Sequence, residues 1–198
     1  MCWDSSKRPE LVYVALGSNL GDAVALVQEA FRRLEPLSRV PLRRSSLWQS
    51  TPVDCPPGSG LYVNAMAGLT PLEGETPETL LAKLQDLEAE FGRRPKQIMN
   101  EPRPLDLDLI AFGVERRQTP SLTLPHPRAH ARKFVLQPLS EIAADLVLPG
   151  QARTIAELLR ELSSDERVWR LDTGGRSAEG CEPLVGGCWT WTGRAVQN

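Results

Sequence analysis

Residues 102–112 read PRPLDLDLIAF, in which leucine and aspartate alternate before a short apolar run. Successive side chains of a β-strand point to opposite faces, so Asp106 and Asp108 should project together while the leucines between and beside them project the other way. Two residues along a strand separate the carboxylates by roughly 7 Å, too far to share a proton. This spacing suits Mg²⁺, which takes one or two carboxylates from a protein and completes its octahedron with water and substrate phosphates.

The same pattern also fits the solvated face of an edge strand. Against that alternative, Ile110, Ala111 and Phe112 continue as an apolar run typical of a buried strand, where unpaired carboxylates are costly. We therefore expect a cation beside the two acids. Arg103, which lies between two prolines, could supply part of that charge, or it could hold a phosphate through its bidentate guanidinium.

Length and composition indicate one ordinary globular domain. The chain has 198 residues, 41% hydrophobic and 24% charged, with a formal net charge of −2. This charge argues against a nucleic-acid partner. The absence of an apolar run of ~18 residues argues against a membrane span, and the N-terminus has no apolar signal region. We predict a cytoplasmic protein.

The cysteine pattern agrees with that location. Cys2, Cys55, Cys181 and Cys188 form no C-x-x-C pair and no zinc spacing, and there are only two histidines. We interpret the four as reduced thiols.

The N-terminal third predicts a strand followed by an amphipathic helix. An apolar run at residues 11–16 is typical of a buried strand. The turn GSNLG at 17–21 follows, and Asp22 is a candidate N-cap. That turn could hold a phosphate or could need its glycines for backbone reasons alone. Pro36 should end the helix, whose apolar positions are Leu20, Val24, Val27, Phe31 and Leu34.

Two further strands are predicted at residues 45–50 and 62–69, joined by a loop rich in proline and glycine. Such a loop is usually functional or mobile. Tyr62 and Asn64 share one face of the second of these strands. An aromatic ring beside an amide could bind a flat heterocycle, although ordinary strand packing is the more frequent explanation of such a pair.

A second helix should begin at Thr76 as N-cap, with Pro77 in its first position. Its apolar stripe is Leu80, Leu84, Leu87 and Phe91, and Gly92 should end it. We place Gln85 and Glu88 on its polar side. Residues 93–103 then carry four cations. They are either a solvated loop or, directly before the paired acids, the cations that a magnesium nucleotide requires.

After a hairpin, residues 122–134 contain both histidines among several prolines and cations, so we expect the histidines to be exposed. A helix at 134–144 follows. Thr154 and Glu157 form a capping box that should open a last helix at 158–162. Residues 173–198 have no periodicity, and we expect a disordered tail after one domain at 1–172.

The order strand, helix, strand, strand, helix, strand predicts an α+β fold. The expected architecture is a ferredoxin-like βαββαβ antiparallel sheet covered by helices, with extra helices at the C-terminal end.

Five separated pieces of the chain, in the same order, resemble the 6-hydroxymethyl-7,8-dihydropterin pyrophosphokinase (HPPK) family of folate biosynthesis. The most specific is PRPLDLD at 102–108. The others are ALGSNLGD at 15–22, the turn at 50–53, YVNA at 62–65, and PHP at 125–127 together with Arg132, Phe134-Val135-Leu136 and Pro138-Leu139.

The resemblance implies transfer of a pyrophosphoryl group from ATP to the hydroxymethyl group of a reduced pterin, leaving AMP. We expect a monomer. Two Mg²⁺ ions would be held by Asp106 and Asp108. Arg93 and Arg103 would be catalytic cations. The residues expected to bind ATP are Gln85, Arg93, Arg103, Leu109, Thr123, His126 and Arg132. Those expected to bind the pterin are Ser50, Val53, Tyr62, Asn64 and Phe134.

The chain departs from the family pattern before the aspartates, where many members carry an R-W-G-P-R run and this chain has Pro95, Met99, Asn100 and Glu101. Lys96 or Arg94 could substitute for a missing cation. Two alternatives therefore stay open. One is an HPPK-like module that binds pterin or nucleotide without turnover, and the other is a metal-dependent phosphotransferase or nuclease that uses D-x-D generically.

Overall fold

A computed structural model of the chain describes residues 11–53, 58–93 and 103–172. The longer strands are β1 (Val12–Ser18), β4 (Tyr62–Leu69) and β5 (Asp106–Phe112), and the short ones are β2 (Arg43–Arg44), β3 (Trp48–Ser50), β6 (Arg117–Gln118), β7 (Thr123–Leu124) and β8 (Val168–Arg170). The helices are α1 (Ala23–Leu34), α2 (Pro77–Glu90), α3 (Lys133–Ala143) and α4 (Ile155–Glu161), with 3-10 turns at Glu35–Leu37 and Ala129–Ala131.

The main sheet has the order β5-β1-β4-β3-β8, and β2 adds to β4. All of its pairings are antiparallel. Within it, β1, β3, β4 and β5 with the crossovers α1 and α2 make the split βαβ arrangement of a ferredoxin-like fold. The predicted fold class is confirmed, and α3 and α4 are the expected C-terminal helices.

Two apolar clusters cover the two faces of the sheet. On one face, the leucines at 105, 107 and 109 pack with Phe31 of α1 and Leu84 of α2. On the other face, Tyr13, Met66 and Ile110 pack with Leu136 and Leu139 of α3. On this second face α3 packs over the part of the sheet that carries Tyr13, Met66 and Ile110. The end of the same face that carries Gly17, Asn64 and Asp106 is left open to a ligand.

The helix starts follow local hydrogen-bonding rules. The Asp22 side chain accepts from the Ala25 N–H at 3.0 Å, and capping boxes at Thr76 and Thr154 open α2 and α4. Gly92, with φ +88°, follows α2 as predicted. Gly21 has φ +60°, which indicates that the turn after β1 needs this glycine for its backbone conformation.

Several short elements differ from prediction. Leu20 lies before α1 and is 40% exposed, so it is not part of the apolar face. The strand predicted at 45–50 is only Trp48–Ser50, and β2 and β8 were not predicted at all. Strands of two or three residues carry no readable alternation, and their pairing depends on distant partners.

Some predictions concern residues outside the described ranges. These are the four cysteines, the loop at 94–102 and the tail at 173–198. Within the described ranges, no helix combines the length and the apolar character that crossing a bilayer requires.

Shortening Leu84 to Ala should destabilise the fold, because its side chain is 0% exposed between α2 and the sheet. We expect Leu84→Ala to lower the free energy of unfolding by about 2–4 kcal/mol, measured by denaturant titration. The matched control is Val114→Ala, at a position that is 79% exposed, with an expected change below about 0.5 kcal/mol. Equal losses in the two variants would contradict the burial of the α2 stripe.

Candidate active site

The open end of the sheet has space above it because β1 carries the small residues Ala15 and Gly17 there. Gly17 lies opposite Asn64 on β4 and Asp106 on β5, and Ala15 lies opposite Asp108. A Cβ built on Gly17 would lie 3.8 Å from Asn64 Oδ1 and 4.0 Å from Asp106 Cβ. A larger side chain at position 17 would therefore fill the space between the amide and the acid, which is the floor of a cavity.

Most of the predicted site residues line this cavity. They are Ser50, Val53, Tyr62, Asn64, Arg93, Arg103, Asp106, Asp108, His126, Arg132 and Phe134. Arg128, which was not predicted, lines it as well. Gln85, Leu109 and Thr123 are not among the lining residues. Gln85 and Thr123 are exposed, and the Leu109 side chain is buried in the core beneath α1 and α2.

The two acids lie on the same face, as the alternation predicted, but their partners differ. Asp106 forms ion pairs with Arg103 at 2.8 Å and Arg93 at 3.3 Å. Asp108 forms no ion pair with any cation of the described residues. Burial and the charge of Asp106 raise the pKa of Asp108, against the opposing effect of His126, Arg132 and Arg93. The cavity thus contains one acid that the protein compensates directly and one that it does not.

His126 is half-buried in the cavity, so the prediction that both histidines are exposed is wrong for this one, while His130 is exposed. The His126 backbone N–H donates to the Ile110 carbonyl at 2.8 Å, which fixes this loop against β5. Its Nδ1 accepts from the Arg128 N–H at 3.3 Å, so the neutral ring carries its proton on Nε2. Burial lowers the pKa of His126, with Asp108 opposing and Arg132 and Arg128 reinforcing the shift.

Glu88 is 3% exposed, so its predicted place on the polar side of α2 is wrong. Its Oε1 accepts the Leu107 N–H at 2.7 Å, and it forms an ion pair with Arg93. Burial raises the pKa of Glu88 to about 7, aided by Asp106 and opposed by the Leu107 hydrogen bond and Arg93. The sequence signal was its spacing four residues after Leu84, which places it on the buried stripe.

The turn after β1 is tied to the start of β5. The Arg103 backbone N–H donates to Asn19 Oδ1 at 3.0 Å. Asn19 Nδ2 and Ser18 Oγ are buried without a hydrogen-bond partner within the described ranges. Of the GSNLG turn only Gly17 lines the cavity. The structure therefore favours the backbone explanation of this turn over the phosphate one.

The other half of the cavity carries an amide and aromatic rings. Asn64 Nδ2 donates to Ser50 Oγ at 2.9 Å, which leaves Oδ1 available as an acceptor. Phe134 lies at the start of α3 with the Arg132 guanidinium over its ring at 5.3 Å, and Tyr62 comes from β4. An amide with rings on separate elements suits a flat ligand with N–H donors.

The fold and the site together define a ferredoxin-like domain with an acidic and cationic cleft of the kind suited to phosphoryl transfer. The family model described as 7,8-dihydro-6-hydroxymethylpterin-pyrophosphokinase (HPPK) matches residues 13–144. The chain belongs to this family.

Two bacterial relatives match this chain over nearly their whole length. A 2-amino-4-hydroxy-6-hydroxymethyldihydropteridine pyrophosphokinase of Haemophilus influenzae is 40% identical over 158 residues, covering 79% of this chain and 95% of the relative. The protein of the same name from Pseudomonas aeruginosa is 40% identical over 152 residues, covering 75% of this chain and 89% of the relative.

Solved structures agree on the fold. A Plasmodium falciparum HPPK-DHPS with pteroate superposes with a TM-score of 0.62 at 12% identity, and the match covers 80% of this chain. It covers 43% of that longer chain, so the remainder of the longer chain has no counterpart in the match.

Replacing Glu88 with Gln should flatten the dependence of stability on pH. The pKa of Glu88 is raised from 4.5 to about 7 on folding. The protonated Glu88 side chain therefore contributes fully to the free energy of unfolding below pH 4.5. This contribution, up to roughly 3 kcal/mol, is lost as the pH rises from 4.5 through about 7. Neutral Gln has no such loss, so between about pH 5 and 8 the melting temperature of Glu88→Gln should fall less than that of the wild type.

The matched control is Glu90→Gln, at an exposed position of the same helix. It should keep the wild-type slope of melting temperature against pH. If Glu88→Gln also kept that slope, burial would not be what raises the pKa of Glu88.

Proposed function

We propose that the chain transfers the pyrophosphoryl group of ATP to the hydroxymethyl group of 6-hydroxymethyl-7,8-dihydropterin, giving AMP and the pterin diphosphate, with two Mg²⁺ ions. The observation that carries this proposal is one cavity with Asp106 and Asp108 in its charged half and Asn64, Tyr62 and Phe134 in the other. Family membership and the pterin substrate in the names of the relatives support the same reaction.

The donor set fits magnesium. Asp108 has a raised pKa and no ion pair with a cation of the described residues, so a bound cation would relieve an uncompensated charge. In the described ranges no group of three or more His, Cys, Asp or Glu side chains could hold a metal. Two carboxylates agree with Mg²⁺, whose other ligands are commonly water and phosphate oxygens.

Asp106 and Asp108 would therefore hold the ions. When bound, magnesium polarises phosphoryl oxygens and neutralises their charge.

The arginines supply the remaining positive charge. Arg93 follows α2, Arg103 precedes β5, and Arg128 and Arg132 flank the 3-10 turn before α3. Arg93 is fixed by Glu88 and Asp106, and Arg103 by Asp106. Cations held in place before the ligand arrives lose little freedom when the triphosphate binds and can stabilise charge that moves during transfer.

The amide half orients the acceptor substrate. Asn64 Oδ1 can accept a hydrogen bond from a pterin N–H, and the hydrogen bond from Nδ2 to Ser50 fixes the orientation of the amide. Tyr62 and Phe134 provide rings for stacking, and Ser50 and Val53 complete this part of the wall. In this position the hydroxymethyl oxygen bonds to the β-phosphorus as the bond from that phosphorus to the bridging oxygen of AMP breaks, and the hydroxyl proton is released to water. No covalent enzyme intermediate is needed, so the protein contributes positioning and charge.

With ATP, Mg²⁺ and 6-hydroxymethyl-7,8-dihydropterin, the purified chain should release AMP and pterin diphosphate in equal amounts, resolved by chromatography. Omitting the pterin or chelating the metal should abolish AMP release. Absence of AMP above a no-enzyme control would instead support a binding module without turnover. Nucleotide cleavage that does not need the pterin would support a generic metal-dependent phosphotransferase or nuclease.

Asp108→Asn should lower activity without lowering stability. The neutral amide binds Mg²⁺ poorly, so we expect kcat to fall about 10²-fold or more. Because burial raises the pKa of Asp108, removal of its charge should leave the melting temperature unchanged or higher. The exposed Asp145→Asn is the matched control and should change neither quantity. An active Asp108→Asn, or one that loses activity only through unfolding, would contradict the metal role.

A further inference from the structure

The N-terminus of α3 lacks a cap from its own sequence. Arg132 occupies the N-cap position without a side-chain capping hydrogen bond, and the first turn contains no acidic residue. The first N–H groups of a helix nevertheless need acceptors. Here Glu166 provides one from far along the chain: its Oε2 accepts the Lys133 N–H at 2.8 Å and the Phe134 N–H at 3.2 Å.

The same C-terminal segment is fastened to the end of β3. The Thr51 N–H donates to the Arg167 carbonyl at 3.1 Å, and the Arg167 N–H donates to Thr51 Oγ1 at 3.2 Å. Directly afterwards β8 pairs with β3, with Val168 opposite Ser50. Residues 166–170 thus join the start of α3 to the end of β3.

Both attachment points carry the amide and aromatic half of the cavity. Phe134 lines that half and is itself one of the two residues whose N–H groups Glu166 accepts. Ser50 and Thr51 line the cavity at the other attachment point. The ion pairs that hold Arg93 and Arg103 near Asp106 belong to different elements. Loss of the Glu166 contacts would therefore act on the half of the site proposed for the pterin.

We propose that Glu166 is a positioning residue for the pterin: its carboxylate holds the first turn of α3, and with it the Phe134 ring, at the distance from the β3 end that a flat ligand requires. This inference rests on the proposed function of the same cavity. Glu166 does not line the cavity and acts through Phe134, so the larger effect should be on binding of the pterin. Arg132, which is expected to bind the nucleotide, is the N-cap residue of the same helix, and the ATP KM measures how far the change reaches it.

Glu166→Ala removes the acceptor, Glu166→Gln keeps an amide oxygen but not the charge, and Asp165→Asn removes one charge from an exposed neighbouring position. The quantities to be measured for each variant are the KM for hydroxymethyl-dihydropterin, the KM for ATP, kcat and the melting temperature. Glu166→Ala should raise the pterin KM about five- to tenfold, as expected for loss of a helix cap, while the ATP KM stays within about twofold. Glu166→Gln should lie between this variant and the wild type, and Asp165→Asn should match the wild type.

A purely structural role would lower the melting temperature and the amount of active enzyme without separating the two KM values, and that result would overturn the inference. An unchanged pterin KM in a folded Glu166→Ala would do the same. If Glu166→Ala fails to fold, the selective rise in pterin KM of Glu166→Gln decides the question. A wild-type chain that makes no AMP would overturn the proposed function, and the pterin role of Glu166 with it, whereas an active wild type isolates the test to Glu166.

Discussion

Burial of leucines 105, 107 and 109 beneath α1 and α2 forces the carboxylates of Asp106 and Asp108 onto the opposite surface of the sheet. Because the side-chain period of a strand is two, a slip of one residue would bury both acids and expose the leucines. The register of β5 against β1 is therefore fixed by core packing, not by the site. Glu88 reinforces it from α2, since its carboxylate accepts the Leu107 N–H between the two acids.

This arrangement makes the charged half of the cavity asymmetric. Arg93 is shared between Glu88 and Asp106, and Arg103 also pairs with Asp106, so the protein itself compensates that acid. Among the residues that the structure describes, Asp108 has instead the nearby His126 and arginines at longer range, and burial raises its pKa. A cation brought by the substrate complex would consequently have its largest electrostatic effect at Asp108. The neutral His126 tautomer, with its proton on Nε2, adds a hydrogen-bond donor without adding charge.

Local patterns were sufficient to predict the parts of the fold and site that depend on neighbouring residues. The alternation at 105–109, the caps at Asp22, Thr76 and Thr154, and the three longer strands required only sequence periods and capping chemistry. Two of the failures involve partners distant in sequence. Glu88 is buried because it meets a β5 backbone group and Arg93, and β8 exists because it pairs with β3. No local sequence pattern predicts the pairing of β8 with β3. The helical spacing of Glu88 from Leu84 did indicate that Glu88 is buried, but not which groups it meets.

The cavity is built from the ferredoxin-like core together with segments that follow it. The two acids lie on β5 beside β1, and Arg93 follows α2, whereas His126, Arg128 and Arg132 come from the loop before α3. The aromatic half needs Phe134 at the start of α3, and that helix is capped by Glu166 from the segment leading into β8. A bare βαββαβ core would retain the paired acids but would lack one wall for a flat ligand. The fold alone therefore does not account for the site, and it is the C-terminal addition that places the Phe134 ring in the same cavity as the two acids.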